Sequence, residues 1–328
     1  MKILEKNKQA VIFGLSSSMH LAEEVSKITQ ITLGEAPVKR FADGEVFIES
    51  KTSVRGKQVF VIQSTDNPAN EKLMELLIFV DALRRSSALE INVVMPYFGY
   101  SRQDRMNGGR QAITAKLVAD MLKVAGASRV ITFDLHSPQT QGFFDMPSDD
   151  LRAVGILAKR INKEIKEDFV VVSPDHGSAR RARQFAELSG NKMMAVIDKR
   201  RHSANEAQAQ FLLGDVEGQN VVIVDDMVDT AGTVASGVKL LKEKGAKNIY
   251  FAATHAVLSE TEKAPYKALD KLKEAGVTKF FTTNSIYIES DDFVDVSCLG
   301  EAISGMITAH LDHKSITQFF VKKYNTGL

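Results

Sequence analysis

The sequence predicts an α/β protein made of mainly parallel sheets flanked by helices. Short runs of β-branched and other apolar residues recur along the chain, and segments with helical spacing lie between them. This alternation is typical of parallel α/β architecture. The length of 328 residues further indicates two domains, because one domain usually spans about 150 residues.

Ten apolar runs are predicted to form strands. The first half of the chain contributes QAVIFGL, KQVFVIQST, EINVVMPYF and RVITFDLH. The second half contributes DFVVVSPD, MMAVIDK, VVIVDD, NIYFAATH, KFFTTN and the short FVDVS. Between the second and third runs, apolar residues recur every three or four positions at Leu73, Leu76, Leu77, Val80 and Leu83. This spacing places them on one face of a helix.

The polar stretch FFDMPSDDLRAV, residues 143–154, is predicted to separate the two domains. Pro147 and the Ser-Asp-Asp cluster after it interrupt the apolar periodicity there. The predicted domains are therefore residues 1–150 and 151–328.

The charge and composition exclude some classes of partner and compartment. The 42 Lys and Arg residues nearly balance the 41 Asp and Glu residues, so the chain lacks the overall positive field of a non-specific nucleic-acid binder. The single cysteine, Cys298, excludes an internal disulfide and fits a reducing compartment. No apolar run has the length of a membrane span or of a signal-peptide core. We therefore expect a cytoplasmic protein that binds neither nucleic acid nor membrane.

The segment VVIVDDMVDTAGT, residues 221–233, combines a carboxylate cluster with a small-residue turn. Ligands of open α/β sheets gather beyond the carboxyl ends of the strands, where this segment is predicted to lie. Asp225 and Asp226 would repel a phosphate, but they can accept hydrogen bonds from sugar hydroxyls. Thr230, Thr233 and the amides near Gly232 can hold a phosphate at the start of the next helix. The segment therefore predicts a sugar phosphate ligand, and a capped turn with solvated acids is the alternative.

Basic residues follow two other predicted strands. They are Arg180, Arg181 and Arg183 in one segment, and Lys199, Arg200 and Arg201 in the other. Each group alone is typical of a solvated basic face, whereas together they suit a polyphosphate whose charge must be neutralised. The chain has neither GxxxxGK[ST] nor GxGxxG, which argues against a P-loop kinase and a dinucleotide oxidoreductase.

Two histidines also follow predicted strands, in Asp134-Leu135-His136 and Asp175-His176. A histidine at the end of a strand is commonly a satisfied polar residue. Magnesium prefers oxygen ligands, so His136 would be an unusual ligand unless phosphate oxygens and waters complete the shell.

Six segments together resemble those of the ribose-phosphate pyrophosphokinase family, the phosphoribosyl diphosphate synthases. They are FADGE (41–45), PYFGYSRQDR (96–105), DLHSPQTQGFFD (134–145), SPDHGSARRAR (173–183), IDKRR (197–201) and VDDMVDTAGT (224–233). The resemblance spans nearly the whole chain in the order of the family. It implies two successive phosphoribosyltransferase-like domains, usually assembled as a homohexamer.

The activity that the resemblance implies is transfer of the β,γ-diphosphoryl group of ATP to the anomeric hydroxyl of ribose 5-phosphate. The products would be 5-phosphoribosyl 1-diphosphate and AMP. Matching positions imply ribose binding by Asp225 and Asp226, and 5-phosphate binding by Asp229, Thr230, Ala231, Gly232 and Thr233. They also imply ATP binding by Phe41, Asp43, Glu45, Arg102 and Gln103, Mg²⁺ binding by His136 and Asp175, and catalysis by Lys199 and Arg201.

The resemblance extends to regulation and is interrupted at two places. TSVRG (52–56) and Ser137 resemble parts of the phosphate and ADP effector site of the regulated class. The turn that faces the diphosphate is usually Gly-Gly, where this chain has Gly177-Ser178, and MNGGRQ (106–111) is less charged than its usual counterpart.

Two other functions remain open from the sequence. A salvage phosphoribosyltransferase would share the DDMVDTAGT segment but not the adenine-type segments FADGE and SRQDR. A non-catalytic protein associated with the synthase would keep the fold and lose catalytic groups, and the presence of Lys199 and Arg201 opposes this.

Overall fold

A computed structural model describes residues 9–200, 209–259 and 267–317, without the side chains of residues 199, 200, 209 and 210. The described chain divides into two compact units. The first contains residues 9–152, 285–287 and 298–317, and the second contains residues 153–200, 209–259, 267–284 and 288–297.

The first unit is built on a five-stranded parallel sheet. Its strands, in spatial order, are β1 (Ala10–Gly14), β4 (Gln58–Ile62), β5 (Glu90–Met95), β6 (Arg129–Phe133) and β7 (Ser148–Leu151). The four predicted strands of the first half are confirmed as β1, β4, β5 and β6. They read as continuous apolar runs because their residues are buried on both faces of the sheet.

Within the described residues, four helices belong to this unit: α1 (Met19–Thr29), α2 (Ala69–Arg85), α3 (Thr114–Ala125) and α8 (Gly300–Leu311). The predicted helix is confirmed as α2, which buries Leu73, Leu76, Val80 and Leu83. Helix α2 has an acidic residue in its first turn and two arginines in its last turn, which complements the helix dipole. A 3₁₀ helix, Pro138–Phe143, follows β6.

The stretch 143–154, which is predicted to separate the domains, contains a strand. Residues 148–151 form edge strand β7, which pairs in parallel with β6, and the boundary between the two units follows between residues 152 and 153. Acidic residues occur in this strand because the side chains of Asp149 and Asp150 have cationic partners in Arg129 and Arg152. The pairing with β6 therefore outweighs the low strand propensity of aspartate.

The second unit is built on a seven-stranded sheet. Its spatial order is β10 (Ala209–Leu213), β9 (Met194–Arg200), β8 (Phe169–Ser173), β11 (Asn220–Val228), β12 (Ile249–Ala256), β13 (Lys279–Thr283) and β14 (Val294–Ser297). The six strands predicted in the second half are confirmed as β8, β9, β11, β12, β13 and β14. Only β10 is antiparallel to its neighbour in this sheet.

Helices cover both faces of this second sheet. They are α4 (Val154–Glu164), α5 (Ala179–Leu188), α6 (Gly232–Glu243) and α7 (Ala268–Ala275). Helices α4 and α5 pack on one face, where the core includes Leu157 and Phe185. Helices α6 and α7 pack on the other face, where the core includes Val238 and Leu272. The adjacent residues Ile223 and Val224 of β11 contribute to opposite cores.

The contacts assign the last described part of the chain differently from the predicted division at residue 150. Helix α8 packs with α1 in the first unit, although it lies in the sequence after the second unit. Its buried side chains include Ile303, Met306 and Ile307. Sequence order does not reveal this return of the chain, because an apolar helix face can pack on either unit.

Candidate active site

The acidic pair Asp225 and Asp226 lies within strand β11, not in the turn after it. Strand β8 pairs with β11 only as far as Ile223, whereas β12 pairs with it as far as Val228. The last part of β11 therefore extends past the end of β8 with one neighbour. This extension places both carboxylates at the carboxyl end of the sheet, where ligands of α/β folds bind.

Two side chains from the start of α5 contact this acidic pair. Nη1 of Arg181 lies 3.2 Å from Oδ1 of Asp226 and 3.7 Å from Oδ1 of Asp225. The hydroxyl of Ser178 donates to Oδ1 of Asp225 at 2.8 Å. From the sequence alone, Arg181 is one of three arginines in a basic segment, and Ser178 stands where the family usually has a second glycine. No local pattern reveals either contact, because α5 and β11 are far apart in the chain.

The pKa of the Asp225 carboxyl is raised to about 7, mainly by burial and further by the neighbouring Asp226 charge. The Ser178 hydroxyl and the Arg181 guanidinium act in the opposite direction. A carboxyl with a strongly raised pKa next to specific charged partners is typical of functional sites. The environment of this pair therefore disfavours ionisation of both carboxyl groups at the same time.

Residues 229–231 connect β11 to α6, and residues 232 and 233 are the first two residues of that helix. Helix α6 begins at Gly232 with Ala231 as its N-cap residue. Ala231 has φ 59°, the left-handed region that non-glycine residues rarely adopt. Such strain costs on the order of 1 to 3 kcal/mol and is concentrated at functional sites.

Gly232 does not itself need a positive φ, and the space beside it is open. A Cβ added at Gly232 would meet only the Thr230 hydroxyl oxygen, at 3.9 Å. Thr230, Gly232 and Thr233 are all exposed. Because the first amides of a helix lack partners within the helix, this open turn can receive an anion.

Asp175 lies in the turn between β8 and α5. Its Oδ1 accepts a hydrogen bond from the Ser178 amide at 2.9 Å, and its carbonyl accepts one from the Ser173 hydroxyl at 2.7 Å. The next residue, His176, contacts Oδ1 of Asp198 through Nε2 at 3.0 Å. These contacts order the turn that leads into α5.

The predicted catalytic pair is described only in part. The backbone of Lys199 lies in β9, opposite Gln210 of β10. The Lys199 side chain and the whole of Arg201 lie outside the described residues.

Phe41, Asp43 and Glu45 occupy the turn of a hairpin that the sequence analysis did not predict. Strands β2 (Val38–Arg40) and β3 (Val46–Ile48) pair antiparallel, and Phe41 and Glu45 close the turn through a 2.9 Å backbone hydrogen bond. The amide of Glu45 also donates to the Asp43 carboxylate at 3.0 Å. Phe41 is 57% exposed, so its ring is not part of the hydrophobic core.

Arg102 and Gln103 lie in the loop between β5 and α3, and both are exposed. The amide of Gln103 donates to the Tyr100 carbonyl at 2.9 Å, and the Gln103 side chain accepts from the Thr114 hydroxyl at 2.6 Å. Like Ala231, Tyr100 is a non-glycine residue in the left-handed region, with φ 64°. The loop is thus tied to the start of α3.

His136 is exposed just after β6, on a turn held by a buried ionic cluster. Arg152 lies 3.4 Å from the Asp134 carboxylate and 3.1 Å from the Asp150 carboxylate. Asp150 also accepts from the Leu135 amide at 3.0 Å. Burial raises the pKa of Asp150 to about 6, against the opposing effect of Arg152. These contacts hold the backbone of residues 134 and 135 in place directly before His136.

No group of three His, Cys, Asp or Glu side chains that could hold a metal ion occurs among the described residues. Magnesium usually takes one or two carboxylates from the protein and the rest of its ligands from substrate phosphates and water. A single carboxylate such as Asp175 fits that mode of binding. A site made entirely of protein ligands does not fit the described part of the chain.

A parallel sheet, an acidic pair at the end of a strand and a small-residue turn into a helix define a phosphoribosyltransferase-type protein. Residues 10–126 match the family model for the N-terminal domain of ribose phosphate pyrophosphokinase, and residues 149–283 match the phosphoribosyl transferase domain model. The chain belongs to the ribose-phosphate pyrophosphokinase family, and it is an enzyme that transfers diphosphate groups.

Individual relatives agree with this assignment over nearly the whole chain. The chain is 46% identical over 315 residues to a ribose-phosphate pyrophosphokinase of Bacillus caldolyticus, covering 95% of this chain and 98% of the relative. It is 47% identical over 300 residues to that of Listeria ivanovii, covering 89% and 92%. A crystal structure of phosphoribosylpyrophosphate synthetase from Mycobacterium smegmatis matches with a TM-score of 0.86 and 39% identity, covering 93% of this chain and 99% of that one.

These matches exclude one of the functions that the sequence left open. The N-terminal domain model, which is specific to the pyrophosphokinases, covers the segments FADGE and SRQDR. The salvage phosphoribosyltransferase alternative is therefore wrong.

None of the helices in the described parts of the chain combines the length and apolarity that crossing a membrane requires.

Proposed function

We propose that this enzyme transfers the β,γ-diphosphoryl group of ATP to the anomeric hydroxyl of ribose 5-phosphate for nucleotide biosynthesis. The anomeric oxygen attacks the β-phosphorus and loses its proton, and the bond from the β-phosphorus to the oxygen bridging to the α-phosphate breaks. AMP leaves with that oxygen. The other product is 5-phosphoribosyl 1-diphosphate.

The observation that carries this proposal is the order of groups along β11, the turn and α6. A carboxylate pair that suits the ribose hydroxyls comes first, at Asp225 and Asp226. The strained turn at Ala231 and the open space beside Gly232 then suit the 5-phosphate. A ligand with hydroxyls at one end and a phosphate at the other satisfies both ends of this segment.

The first unit supplies the groups that we assign to ATP. Phe41 presents an exposed ring on its hairpin turn, and Asp43 and Glu45 lie beside it. An exposed aromatic ring with neighbouring acceptors suits a flat adenine base. Arg102 and Gln103, on the ordered loop before α3, are assigned to the rest of the nucleotide.

Transfer of a diphosphoryl group requires little covalent chemistry from the protein, so positioning and charge neutralisation provide most of the catalysis. Lys199 and Arg201 are assigned to the charge that develops on the migrating group. Asp175 and His136 are assigned to Mg²⁺, which would neutralise phosphate charge when bound.

The same assignment includes assembly, regulation and location. We propose a homohexamer, with phosphate and ADP as effectors that bind near Ser137 and residues 52–56. We assign the enzyme to the cytoplasm.

An assay of AMP release tests the proposed reaction. The purified chain is incubated with ATP, ribose 5-phosphate and Mg²⁺, and each component is omitted in turn. We expect AMP only in the complete mixture, together with an equal amount of 5-phosphoribosyl 1-diphosphate. AMP release that does not need ribose 5-phosphate, or no release in the complete mixture, would show a different reaction or a non-catalytic protein.

A further inference from the structure

The acidic pair on β11 has an electrostatic cost that the protein must offset. Asp225 and Asp226 are adjacent, and their side chains are only 16% and 5% exposed. Two neighbouring carboxylates removed from water disfavour each other's ionised form. A site that uses both as hydrogen-bond acceptors therefore needs partners that favour their ionised form and fix their orientation.

Arg181 supplies the positive charge for both carboxylates. Its side chain is 15% exposed, and one guanidinium nitrogen lies within 3.7 Å of an oxygen of each. Consecutive side chains of a regular strand point to opposite faces, so a single nitrogen would not normally reach two of them. Beyond Ile223, however, β11 has no pairing with β8, and both carboxylates reach the same guanidinium.

Ser178 helps to fix the orientation of the Asp225 carboxylate. Oδ1 of Asp225 accepts from the Ser178 hydroxyl at 2.8 Å and from the Asp226 amide at 2.9 Å, and it lies 3.7 Å from Nη1 of Arg181. These three contacts use the same oxygen, so they hold the carboxylate in one orientation at the end of the sheet.

Ser178 and Arg181 both lie at the start of α5, so their side chains can reach the acidic pair from the same side of that helix. Ser178 is the N-cap residue of α5, and Arg181 is three positions further on. The amide of Ser178 also donates to Asp175 at 2.9 Å. One residue thus contacts both the carboxylate assigned to magnesium and a carboxylate assigned to ribose.

We propose that Ser178 and Arg181 are positioning residues that orient and charge Asp225 and Asp226 for the hydroxyls of the sugar. This inference rests on the proposed binding of ribose 5-phosphate. From the sequence alone, Arg181 was only part of a basic segment, and Ser178 was only a departure from a glycine turn.

Calorimetric titration of ribose 5-phosphate and, separately, of ATP into the full chain tests this proposal. Arg181→Met should weaken ribose 5-phosphate binding by about 10- to 100-fold, since hydrogen bonds to charged groups are worth about 1.5 to 3 kcal/mol. Ser178→Ala should weaken it by about 3- to 10-fold. Both variants should bind ATP as the unchanged protein does. Arg181→Lys keeps the charge and should recover at least part of the affinity.

Matched controls separate positioning from general stability. Arg160→Met removes another ion pair of the second unit, the one with Asp295, and should leave the affinity for ribose 5-phosphate unchanged. Ser189→Ala removes a buried hydroxyl at the other end of α5 and should also leave it unchanged. Circular dichroism and thermal unfolding identify any variant that does not fold. Ser178→Ala changes few atoms and keeps the test valid if Arg181→Met is unstable.

The outcomes distinguish this inference from the proposed function. If the unchanged protein releases AMP and binds ribose 5-phosphate, but folded Ser178→Ala and Arg181→Met bind it equally well, the positioning role is wrong and the function stands. Equal losses of ATP and ribose 5-phosphate affinity would also reject the positioning role. An unchanged protein that binds no ribose 5-phosphate would overturn the sugar site and this inference together.

Discussion

Ser178 donates a hydrogen bond from its hydroxyl to Oδ1 of Asp225 at 2.8 Å, across 47 positions of sequence. The contact joins the start of α5 to the extended end of β11. Together with Arg181, it means that the chemistry of the acidic pair is determined by an adjacent helix as well as by the strand that carries it.

The first prediction concerns the acidic pair itself. Replacing both residues, as Asp225→Asn with Asp226→Asn, should lower the affinity for ribose 5-phosphate by about 100-fold or more. An amide keeps the shape and one acceptor oxygen but loses the charge that strengthens bonds from hydroxyls. Calorimetry measures this affinity, with ATP binding as the internal control. Unchanged ribose 5-phosphate affinity in the folded double variant would contradict the assignment.

The second prediction concerns stability and pH. An ordinary aspartate releases its proton near pH 3.8, whereas the pKa of Asp225 in the folded protein is raised to about 7, mainly by burial. Between these values the unfolded state binds fewer protons than the folded state. The contribution of Asp225 to the free energy of unfolding therefore decreases as pH rises through this window.

Urea unfolding of the unchanged protein and of Asp225→Asn at pH 5 and pH 8 measures this effect. Relative to the unchanged protein, Asp225→Asn should gain stability between the two pH values, by on the order of 2 to 4 kcal/mol at most. Asn cannot titrate, and the ionisable groups outside the acidic pair are common to both proteins. A difference in stability that is the same at both pH values would show that the pKa of Asp225 is not raised.

The third prediction concerns Lys199. Lys199→Ala should lower the turnover number much more than it weakens binding of either substrate, because we assign the cation mainly to the transition state. Steady-state kinetics together with calorimetry separates the two effects. Parallel losses in turnover and binding would indicate simple attraction of the phosphates, and normal turnover would indicate an ordinary surface residue.

The fourth prediction concerns Phe41, which is 57% exposed and contacts Phe47 edge to face. Phe41→Ala should cost less than about 1.5 kcal/mol of stability, which is the upper value for one aromatic pair. It should nevertheless raise the KM for ATP markedly. Leu89→Ala, at a position that is 70% exposed in the same unit, is a control that should change neither quantity. A large stability loss with an unchanged KM would assign Phe41 to the fold.

Mixed oligomers of Phe41→Ala and Lys199→Ala extend this fourth test to assembly. If one subunit supplies Phe41 and another supplies Lys199 to the same site, random mixing should restore about a quarter of the sites. Sites built within one chain should restore none. Mass spectrometry verifies that mixed oligomers form, so activity at the level of the separate variants would reject a shared site.

The sequence predicted the buried apolar strands well and the exposed or acidic strands poorly. β1 and β8 are apolar runs buried on both faces, and such runs are visible without knowledge of any partner. The short hairpin of β2 and β3 is mostly exposed or half-buried, so it has no apolar run to mark it. The acidic strand β7 was not predicted, because pairing with a neighbouring strand leaves no signal in a local pattern.

The sequence by itself determined the fold class, the family resemblance and the chemical types of the site residues. Local order was sufficient for these, because the acids, the turn and the start of the next helix follow one another between residues 225 and 233. Only the tertiary structure decided that β11 extends past β8 and that Ser178 and Arg181 meet Asp225 and Asp226 there. The raised pKa of Asp225 is likewise a tertiary property. Burial and charge depend on which distant residues surround a carboxylate, and only the packing of α5 against β11 determines them.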